Sequence, residues 1–257
     1  MKKKIDFAKY SSIKIGPIAD VELIEQIDPK FEEYFLIGGA NNLLVSQNPP
    51  RLASLSKAFD YIRIDGDKLK IGAATPTGKV VSFCKKHDIG GFEFLSKLPG
   101  TIGGAVKMNA GVKEYEIKNL LLGIETAKGF LPAKALGLSY RKSSINTIIY
   151  EAVFHIEKGY DEALRQKLLS LRSNQPKEPS AGSVFKNPPG EYAGRLIEAV
   201  GLKGKRIGDM AFSPVHANFL INYGKGTFAE AVKLITIAKE KVLQKYGIVL
   251  EEEVIIV

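Results

Sequence analysis

Short apolar runs separated by polar turns recur through the first half of the chain. Four of these runs are rich in β-branched and aromatic residues and are predicted to be strands: 34–38 (YFLIG), 42–46 (NLLVS), 69–74 (LKIGAA) and 147–156 (TIIYEAVFHI). Residues 78–91 (GKVVSFCKKHDIGG) instead have apolar positions at helical spacing, and we expect this helix to stop at Gly90 and Gly91. Because strands and helices alternate, the pattern favours an α+β or α/β architecture over a β-sandwich.

The pattern becomes more helical in the second half. Residues 161–175 (DEALRQKLLSLRSNQ) begin this region, and four prolines between positions 176 and 189 then interrupt it with loops. The clearest helix follows Thr227, which has the spacing of a capping box with Glu230, while Gly247 supplies the C-terminal stop. We therefore expect a second structural unit in this half.

Length and composition are those of an ordinary globular protein. The chain has 257 residues, of which 45% are hydrophobic and 25% charged, and this length allows one large domain or two modest ones. No apolar run approaches the roughly 18 residues of a membrane span, and the start MKKKIDFAKY lacks a signal-peptide core, so we expect a cytoplasmic protein without membrane contacts. The single cysteine, Cys84, fits a reducing compartment and is interpreted as a helix-packing residue.

Charge narrows the choice of partner. The excess of 37 Lys and Arg over 28 Asp and Glu gives a net charge of +9, which favours phosphorylated small molecules or polyanions. The basic residues are dispersed, and neither zinc-finger spacing nor an RNA-binding aromatic signature is present, so a phosphate-bearing ligand is favoured over nucleic acid. The three histidines, His87, His155 and His216, lie far apart, and no metal site is expected.

Two glycine-rich segments are candidates for binding an anion. Residues 36–45 (LIGGANNLLV) place two glycines between apolar runs, where backbone amides can approach a phosphate, although a plain strand-to-strand turn explains this pattern equally well. Residues 98–111 (LPGTIGGAVKMNAG) match neither the P-loop nor the dinucleotide fingerprint. They nevertheless offer several backbone donors, the Thr101 hydroxyl and the Asn109 amide.

Seven segments in order resemble motifs of one enzyme family. They are SSIKIGPIAD, GGANNLLV, GFEFLSKLPGTIGGAVKMNAG, YRKSSI, PSAGSVFKNP, AGRLIEAVGLKGKRIGDMAFSPVHANFLIN and LEEEV, and together they span nearly the whole chain. This series resembles the UDP-N-acetylenolpyruvoylglucosamine reductases (MurB), flavoenzymes of peptidoglycan precursor synthesis. The short linker between YRKSS and PSAGS is similar to that of the shorter subtype, which lacks a loop carrying a substrate-binding tyrosine.

The resemblance implies an α+β fold, with an FAD-binding domain of the vanillyl-alcohol-oxidase type followed by a smaller α+β substrate domain. We expect the FAD-binding region at residues 1–158, in subdomains of about 1–55 and 56–158, and the substrate domain at 159–257, with its last strand returning to the active site. The expected FAD contacts are Gly38, Gly39, Ala40, Asn41, Asn42, Leu43, Pro99, Gly100, Thr101, Gly103, Gly104, Ala105, Asn109, Ala110 and Gly111.

One departure concerns the first of these loops. The family usually has Gly-Gly-Gly-Ser-Asn there, whereas this chain has Ala40 and Asn41 at the third and fourth positions. Ala40 is acceptable only with a negative φ or with tolerated strain, and Asn41 must replace a hydroxyl contact.

The resemblance also implies the chemistry. In this family NADPH reduces FAD, and the enolpyruvyl double bond of the UDP-sugar is then reduced to a lactyl ether. Arg141 matches the residue that stabilises the enolate, and Ser183 matches the proton donor, a role that needs no neighbouring histidine. Glu253 matches the carboxylate that polarises the intermediate or relays the proton, and Tyr140 and Asn187 resemble substrate contacts.

The position of Glu253 also follows from strand alternation. A terminal strand over residues 248–257 would place Glu251, Glu253, Ile255 and Val257 on one face, so that Glu253 leads an apolar face. Glu251 and Glu252 are interpreted as solvated acidic residues.

Two rival functions stay open at this point. An FAD-dependent sugar or alcohol oxidase of the same fold would share the flavin loops, but it needs no proton donor for a carbanion. A basic nucleic-acid-binding protein would account for the charge alone. We expect a monomer that binds a UDP-linked enolpyruvyl sugar.

Overall fold

The computed structural model describes residues 1–171 and 174–257, so Arg172 and Ser173 of the predicted helical segment lie outside the described residues. Within these residues the chain forms six α-helices: α1 (Phe7–Tyr10), α2 (Thr77–Lys86), α3 (Ile102–Lys107), α4 (Glu162–Ser170), α5 (Ala193–Ala199) and α6 (Phe228–Tyr246). None of the described helices is long and apolar enough to cross a lipid bilayer.

The same residues contain seventeen strands, several of only two residues. They are β1 (Lys2–Asp6), β2 (Ile18–Ile24), β3 (Phe35–Leu36), β4 (Leu43–Leu44), β5 (Leu52–Leu55), β6 (Ile62–Asp65), β7 (Lys68–Gly72), β8 (Gly111–Val112), β9 (Tyr115–Glu116), β10 (Leu121–Thr126), β11 (Gly129–Pro132), β12 (Glu151–His155), β13 (Ser180–Ser183), β14 (Arg206–Ile207), β15 (Met210–Phe212), β16 (Phe219–Asn222) and β17 (Ile255–Ile256).

The chain divides into two compact units. The first contains Met1–Lys3, Asp20–Gly39 and Arg51–Ser173, and the second contains Lys4–Ala19, Ala40–Pro50 and Asn174–Val257. The chain therefore passes from one unit to the other inside the first glycine-rich loop, between Gly39 and Ala40. The roles that the sequence assigns to its expected domains, cofactor binding and substrate binding, stay predictions.

The first unit is built on an antiparallel sheet with the strand order β11-β10-β12-β7-β6. Helices α2 and α3 contribute their apolar residues, among them Val80, Cys84 and Ile102, to a core that includes Leu69 and Ile71 of β7. Strands β2, β5 and β3 run parallel to one another in the same unit, with Val21 and Phe35 both in register with Leu52. The short hairpin β8–β9 completes this unit.

The second unit contains the antiparallel sheet β13-β16-β15-β14 and the long helix α6. The buried face of α6, including Leu234 and Ala238, packs into a core with α5 and the sheet. Both predicted caps of α6 are confirmed: Thr227 and Glu230 form a reciprocal capping box, and Gly247 has a left-handed φ of 66°. A two-stranded parallel pairing of β17 with β4 also belongs to this unit.

Each of the four predicted segments contains a strand, but β3 and β4 have only two residues each, and the last strand begins late. Strand β12 starts at Glu151 instead of Thr147, and the first two residues of the predicted strand, Thr147 and Ile148, bind a carboxylate. The Thr147 hydroxyl lies 2.8 Å from Glu32 Oε1, and the Ile148 amide donates to Glu32 Oε2 at 3.2 Å. Glu32 lies more than a hundred positions away in the sequence, and no local pattern indicates these hydrogen bonds.

The predicted end of α2 was wrong. The helix ends at Lys86, and the residue with positive φ that follows is Asp88, at 53°, instead of a glycine. The Ile89 amide closes this end by donating to the Cys84 carbonyl at 2.9 Å. Asp tolerates the left-handed region better than most side chains, which allows the helix to stop before Gly90.

The predicted terminal strand is broken into two parts. Glu252 forms an isolated bridge with Phe185, and only Ile255–Ile256 forms a strand. Between them the amides of Glu253 and Val254 both donate to the Val184 carbonyl, at 2.7 and 3.2 Å. Two residues therefore face one, and this interrupts the alternation of side chains along the segment. The predicted apolar face with Ile255 and Val257 was wrong, and Val254 is buried instead.

Candidate active site

The two glycine-rich segments approach each other in the first unit. A Cβ at Gly38 would lie 2.8 Å from Thr101 Oγ1, so a side chain at Gly38 would collide with the second loop. Thr101 is the N-cap of α3 and its hydroxyl accepts from the Gly104 amide at 3.4 Å. Gly104 is exposed, so the start of α3 presents backbone without a side chain at that point.

Several backbone donors expected of the second loop are used inside the first unit. The Ile102 amide donates to the Thr75 carbonyl and the Gly103 amide to the Ala73 carbonyl, each at 2.9 Å. Gly103 packs against Ala73 so closely that a Cβ there would lie 3.0 Å from the Ala73 Cβ. Gly103 therefore serves the close packing of α3 on the residues after β7.

The Asn109 side chain takes part in a hydrogen-bonded network of the first unit. Its side chain is fully buried, with Nδ2 donating to Glu116 Oε2 at 3.1 Å and to the Ser139 carbonyl at 2.9 Å. Its Oδ1 accepts from the Lys118 amide at 2.9 Å. Since both amide hydrogens and the oxygen have partners in the first unit, the predicted contact of Asn109 with a cofactor stays a prediction without support from its side chain.

The third residue of the first loop adopts the conformation that glycine usually provides. Ala40 has a φ of 49° and is buried, so this chain tolerates a left-handed alanine there. The next residue, Asn41, does make a polar contact, since its Nδ2 donates to the Ser12 hydroxyl at 2.7 Å in the second unit.

Asn42 connects the end of this loop to the C-terminal segment. Its Nδ2 donates to the Glu253 carbonyl at 2.8 Å, and its own carbonyl accepts from the Ile255 amide at 3.0 Å. Strand β4, which begins at Leu43, then pairs with β17. The predicted cofactor loop therefore fixes the backbone on both sides of Val254 in the second unit.

Ser183 lies at the end of β13, directly after a bulge. Ser180 pairs with Ile221 and Ser183 with Phe219, so two residues of β13 between these pairs face one residue of β16. The bulge contains Gly182, whose φ of 80° suits glycine, and such a bulge changes the direction of the following side chain. The two small residues Ala181 and Gly182 form this bulge directly before Ser183.

The backbone around Ser183 and Glu253 belongs to one hydrogen-bonded arrangement in the second unit. The Val184 carbonyl accepts the Glu253 amide, and the Val184 amide donates to the Asn218 carbonyl at 2.8 Å. The buried Asn218 side chain binds both backbone groups of Phe185, at 3.0 and 2.8 Å. Of the three predicted catalytic residues, Ser183 thus directly precedes Val184 in the chain, and Glu253 binds the Val184 carbonyl through its amide.

The acidic residues beside Glu253 have basic partners. Glu251 pairs with Lys186 at 2.5 Å, and Glu252 pairs with Lys239 at 2.7 Å. Both pairs are partly exposed, which agrees with the interpretation of Glu251 and Glu252 as solvated acidic residues. Ion pairs of this kind contribute little stability, about 0–1 kcal/mol each.

Arg141 lies in the first unit at the tip of a tight turn. Ser139 and Lys142 exchange backbone hydrogen bonds of 3.0 and 3.1 Å, and Arg141 between them has a φ of 52°. Its Nη2 donates to the Gly111 carbonyl at 2.6 Å, and its Nη1 lies 3.8 Å from Glu116 Oε1. The guanidinium also lies 5.0 Å from the centre of the Tyr140 ring.

The comparisons with known proteins point to one family. Residues 175–257 match the family model for the C-terminal domain of UDP-N-acetylenolpyruvoylglucosamine reductase. The reductase of Helicobacter hepaticus is 50% identical over 254 residues, with 97% of each chain covered, and that of Campylobacter jejuni is 45% identical over 258 residues, with 98% and 99% covered. The chain belongs to the UDP-N-acetylenolpyruvoylglucosamine reductase family.

A solved structure of this family has the same fold. The crystal structure of MurB from Thermus caldophilus matches all of this chain and 98% of its own, with a TM-score of 0.87 and 28% sequence identity. The predicted α+β fold is thereby confirmed, and so is the assignment to a family of oxidoreductases.

The predicted substrate contacts of the reductase differ in their surroundings. Tyr140 is exposed, whereas Asn187 Oδ1 accepts from the Ala193 amide at 3.0 Å and so binds the first residue of α5. His216, which lies within one of the family motifs, is half-buried beside Phe219, and its Nδ1 accepts from the Asn218 amide at 3.3 Å. Burial lowers the pKa of His216, which favours the neutral imidazole.

The contacts of Glu116 and Asn218 do not follow from the local residue pattern. Asn218 lies in a recognised motif, but its two hydrogen bonds to Phe185 join positions 33 residues apart. Glu116 follows the second glycine-rich segment among other charged residues. Only the register of β8 with β9, which pairs Gly111 with Glu116, places it beside Arg141.

Proposed function

We propose that this protein is an FAD-containing, NADPH-dependent reductase of the enolpyruvyl group of UDP-N-acetylglucosamine enolpyruvate, acting in peptidoglycan precursor synthesis. The observation that carries the proposal is 45–50% identity to reductases of this name over at least 97% of both chains. The product would be UDP-N-acetylmuramate.

The residues of the predicted flavin loops are compatible with FAD. The approach of Gly38 to Thr101 leaves no room for a side chain, and Gly104 presents bare backbone at the start of α3. A phosphate-bearing group can approach backbone closely only where side chains are absent. We propose that Gly38, Gly39, Thr101 and Gly104 contribute to its pyrophosphate site, and that bound FAD supplies the hydride for the β-carbon of the enol ether after NADPH has reduced it.

Arg141 would stabilise the negative charge that the reduction creates. This charge spreads from the carbon beside the substrate carboxylate into the carboxylate itself, where a planar guanidinium can bind both oxygens. A fixed donor of this kind contributes about 3–4 kcal/mol to transition-state stabilisation. The turn at Arg141 and the hydrogen bond to Gly111 limit the positions of this side chain.

Ser183 would then donate a proton to the same carbon. A carbanion is a strong base, so a correctly directed hydroxyl serves as the acid without a histidine. The bulge at Gly182 directs the Ser183 side chain, and Glu253 is fixed through its amide to Val184 and its carbonyl to Asn42. Glu253 would polarise the intermediate or return a proton to Ser183.

The test separates the two half-reactions. Purified protein should be yellow, NADPH should bleach its flavin, and the enolpyruvyl sugar nucleotide should restore the colour without oxygen, whereas a simple sugar should not. In Ser183→Ala, bleaching should persist and the return of colour should slow by about 10²–10⁴-fold, the usual contribution of a general acid.

Ser180→Ala is the matched control, because Ser180 lies on the same strand before the bulge. It should reoxidise like the wild type. Reoxidation of Ser183→Ala at the wild-type rate would reject the proton-donor role, and colourless wild-type protein that binds no added FAD would reject the reductase proposal.

A further inference from the structure

A polar network lies beside the Arg141 side chain in the first unit. Glu116 is buried, with one oxygen 3.8 Å from Arg141 Nη1 and the other hydrogen-bonded to Asn109. Asn109 also binds the Ser139 carbonyl, at the base of the turn that carries Arg141. The carboxylate and the turn are therefore held by the same amide group, which fixes the guanidinium at both ends of its side chain.

The hairpin β8–β9 is shaped to bring the Glu116 carboxylate to this place. Gly111 pairs directly with Glu116, and a Cβ at Gly111 would lie 2.8 Å from the Glu116 Cγ and overlap the Tyr115 carbonyl oxygen. The same glycine supplies the carbonyl that Arg141 Nη2 binds at 2.6 Å. Glycine at 111 thus permits the close pairing with Glu116, and its carbonyl accepts from the guanidinium.

Backbone strain is concentrated in the network. Asn109 and Arg141 both have positive φ, at 43° and 52°, and neither is glycine. Non-glycine residues in this region persist where the surrounding contacts hold them, and such strain often accompanies sites that need one defined geometry. In this network the hydrogen bonds of Asn109 and the turn around Arg141 supply those contacts.

The charges of the network suit an anionic ligand. Lys118 Nζ lies 2.9 Å from Glu116 Oε2, so one carboxylate is shared between two cations and the cluster retains one positive charge. Glu116 therefore restrains Arg141 without cancelling its attraction for a carboxylate. Lys118 interacts more strongly with the Glu116 carboxylate than Arg141 does, because Lys118 Nζ lies 2.9 Å from Oε2 whereas Arg141 Nη1 lies 3.8 Å from Oε1.

We propose that Glu116 is a positioning residue, which orients the Arg141 guanidinium for the substrate carboxylate. This inference rests on the proposed function, in which Arg141 stabilises the enolate. Glu116 itself touches neither substrate nor cofactor in this role. It acts through the direction and rigidity of the arginine side chain.

The test uses Glu116→Gln, which removes the charge and keeps an oxygen for Asn109. The rate constant for flavin reoxidation by the enolpyruvyl sugar should fall about 10–100-fold, because a displacement of about 1 Å has effects of that size. Bleaching by NADPH and flavin content should stay at wild-type values, while the thermal midpoint should fall because Lys118 and Arg141 lose their buried counter-charge. A residue with only a structural role would lower the thermal midpoint without slowing reoxidation of the folded protein.

A double mutant with Arg141→Lys measures the energetic coupling between Glu116 and Arg141. In that background, Glu116→Gln should slow reoxidation by no more than about threefold further, since residues that act together show strongly non-additive effects. Glu114→Gln is the matched control, an exposed glutamate on the same hairpin segment, and it should behave like the wild type.

The outcomes separate the two proposals. Wild-type protein that is not reoxidised by the enolpyruvyl sugar contradicts the proposed function. Wild-type activity together with normal reoxidation of Glu116→Gln, or full additivity with Arg141→Lys, overturns the positioning role. If Glu116→Gln fails to fold, Asn109→Gly removes the amide while keeping the left-handed backbone, and it must show the same slow reoxidation.

Discussion

Ala40 provides a quantitative test of the strained loop. Alanine in the left-handed conformation is strained by about 1–2 kcal/mol relative to an unstrained residue, and replacing Ala40 with glycine removes this strain. Glycine also gives the unfolded chain more conformational freedom, which lowers the free energy of unfolding by about 0.4–1 kcal/mol. The loss of one buried methyl group lowers it by about 0.8 kcal/mol. These effects nearly cancel, and we expect Ala40→Gly to change the free energy of unfolding by less than about 1 kcal/mol.

The matched control is Ala211→Gly, a fully buried alanine on β15 of the same unit. Its φ is not positive, so glycine relieves no strain there. The lost methyl group and the flexible backbone add to a destabilisation of about 1.3–1.8 kcal/mol.

Urea unfolding followed by circular dichroism measures both variants against the wild type. The reasoning predicts a clear separation of Ala211→Gly from the other two proteins. Equal destabilisation of Ala40→Gly and Ala211→Gly would refute it, because the left-handed alanine would then carry no strain.

Two further predictions concern the caps and the cysteine. Thr227→Ala should lower the free energy of unfolding by about 1 kcal/mol, because the Glu230 amide loses its acceptor in the capping box; an unchanged urea midpoint would contradict this. Burial raises the pKa of the Cys84 thiol from 9.0 to about 12, so its contribution to stability is present below pH 9 and is lost as the pH rises toward 12. Near pH 8, a thiol reagent should label the native protein far more slowly than the urea-unfolded chain, and equal rates would show that Cys84 is accessible.

The residue patterns were sufficient where the deciding contacts are local. The caps of α6 depend on Thr227, Glu230 and Gly247, whose partners lie within four residues, and each could be identified from spacing. The strand predictions succeeded for a similar reason, since β-branched runs suit a buried pleated surface wherever their partner lies. The ordered motifs were also sufficient to place the chain in its enzyme family, which the comparisons confirm.

Tertiary structure decided the features that depend on distant partners. Glu32 binds Thr147 and Ile148 ahead of β12, and the Val184 carbonyl accepts the amides of both Glu253 and Val254 in the C-terminal segment. Glu116 reaches Arg141 only through the pairing of β8 with β9 and the buried amide of Asn109. Periodicity reports the environment of a residue within its own element. It contains no information about which donor, carboxylate or carbonyl from another part of the chain will compete for its hydrogen bonds.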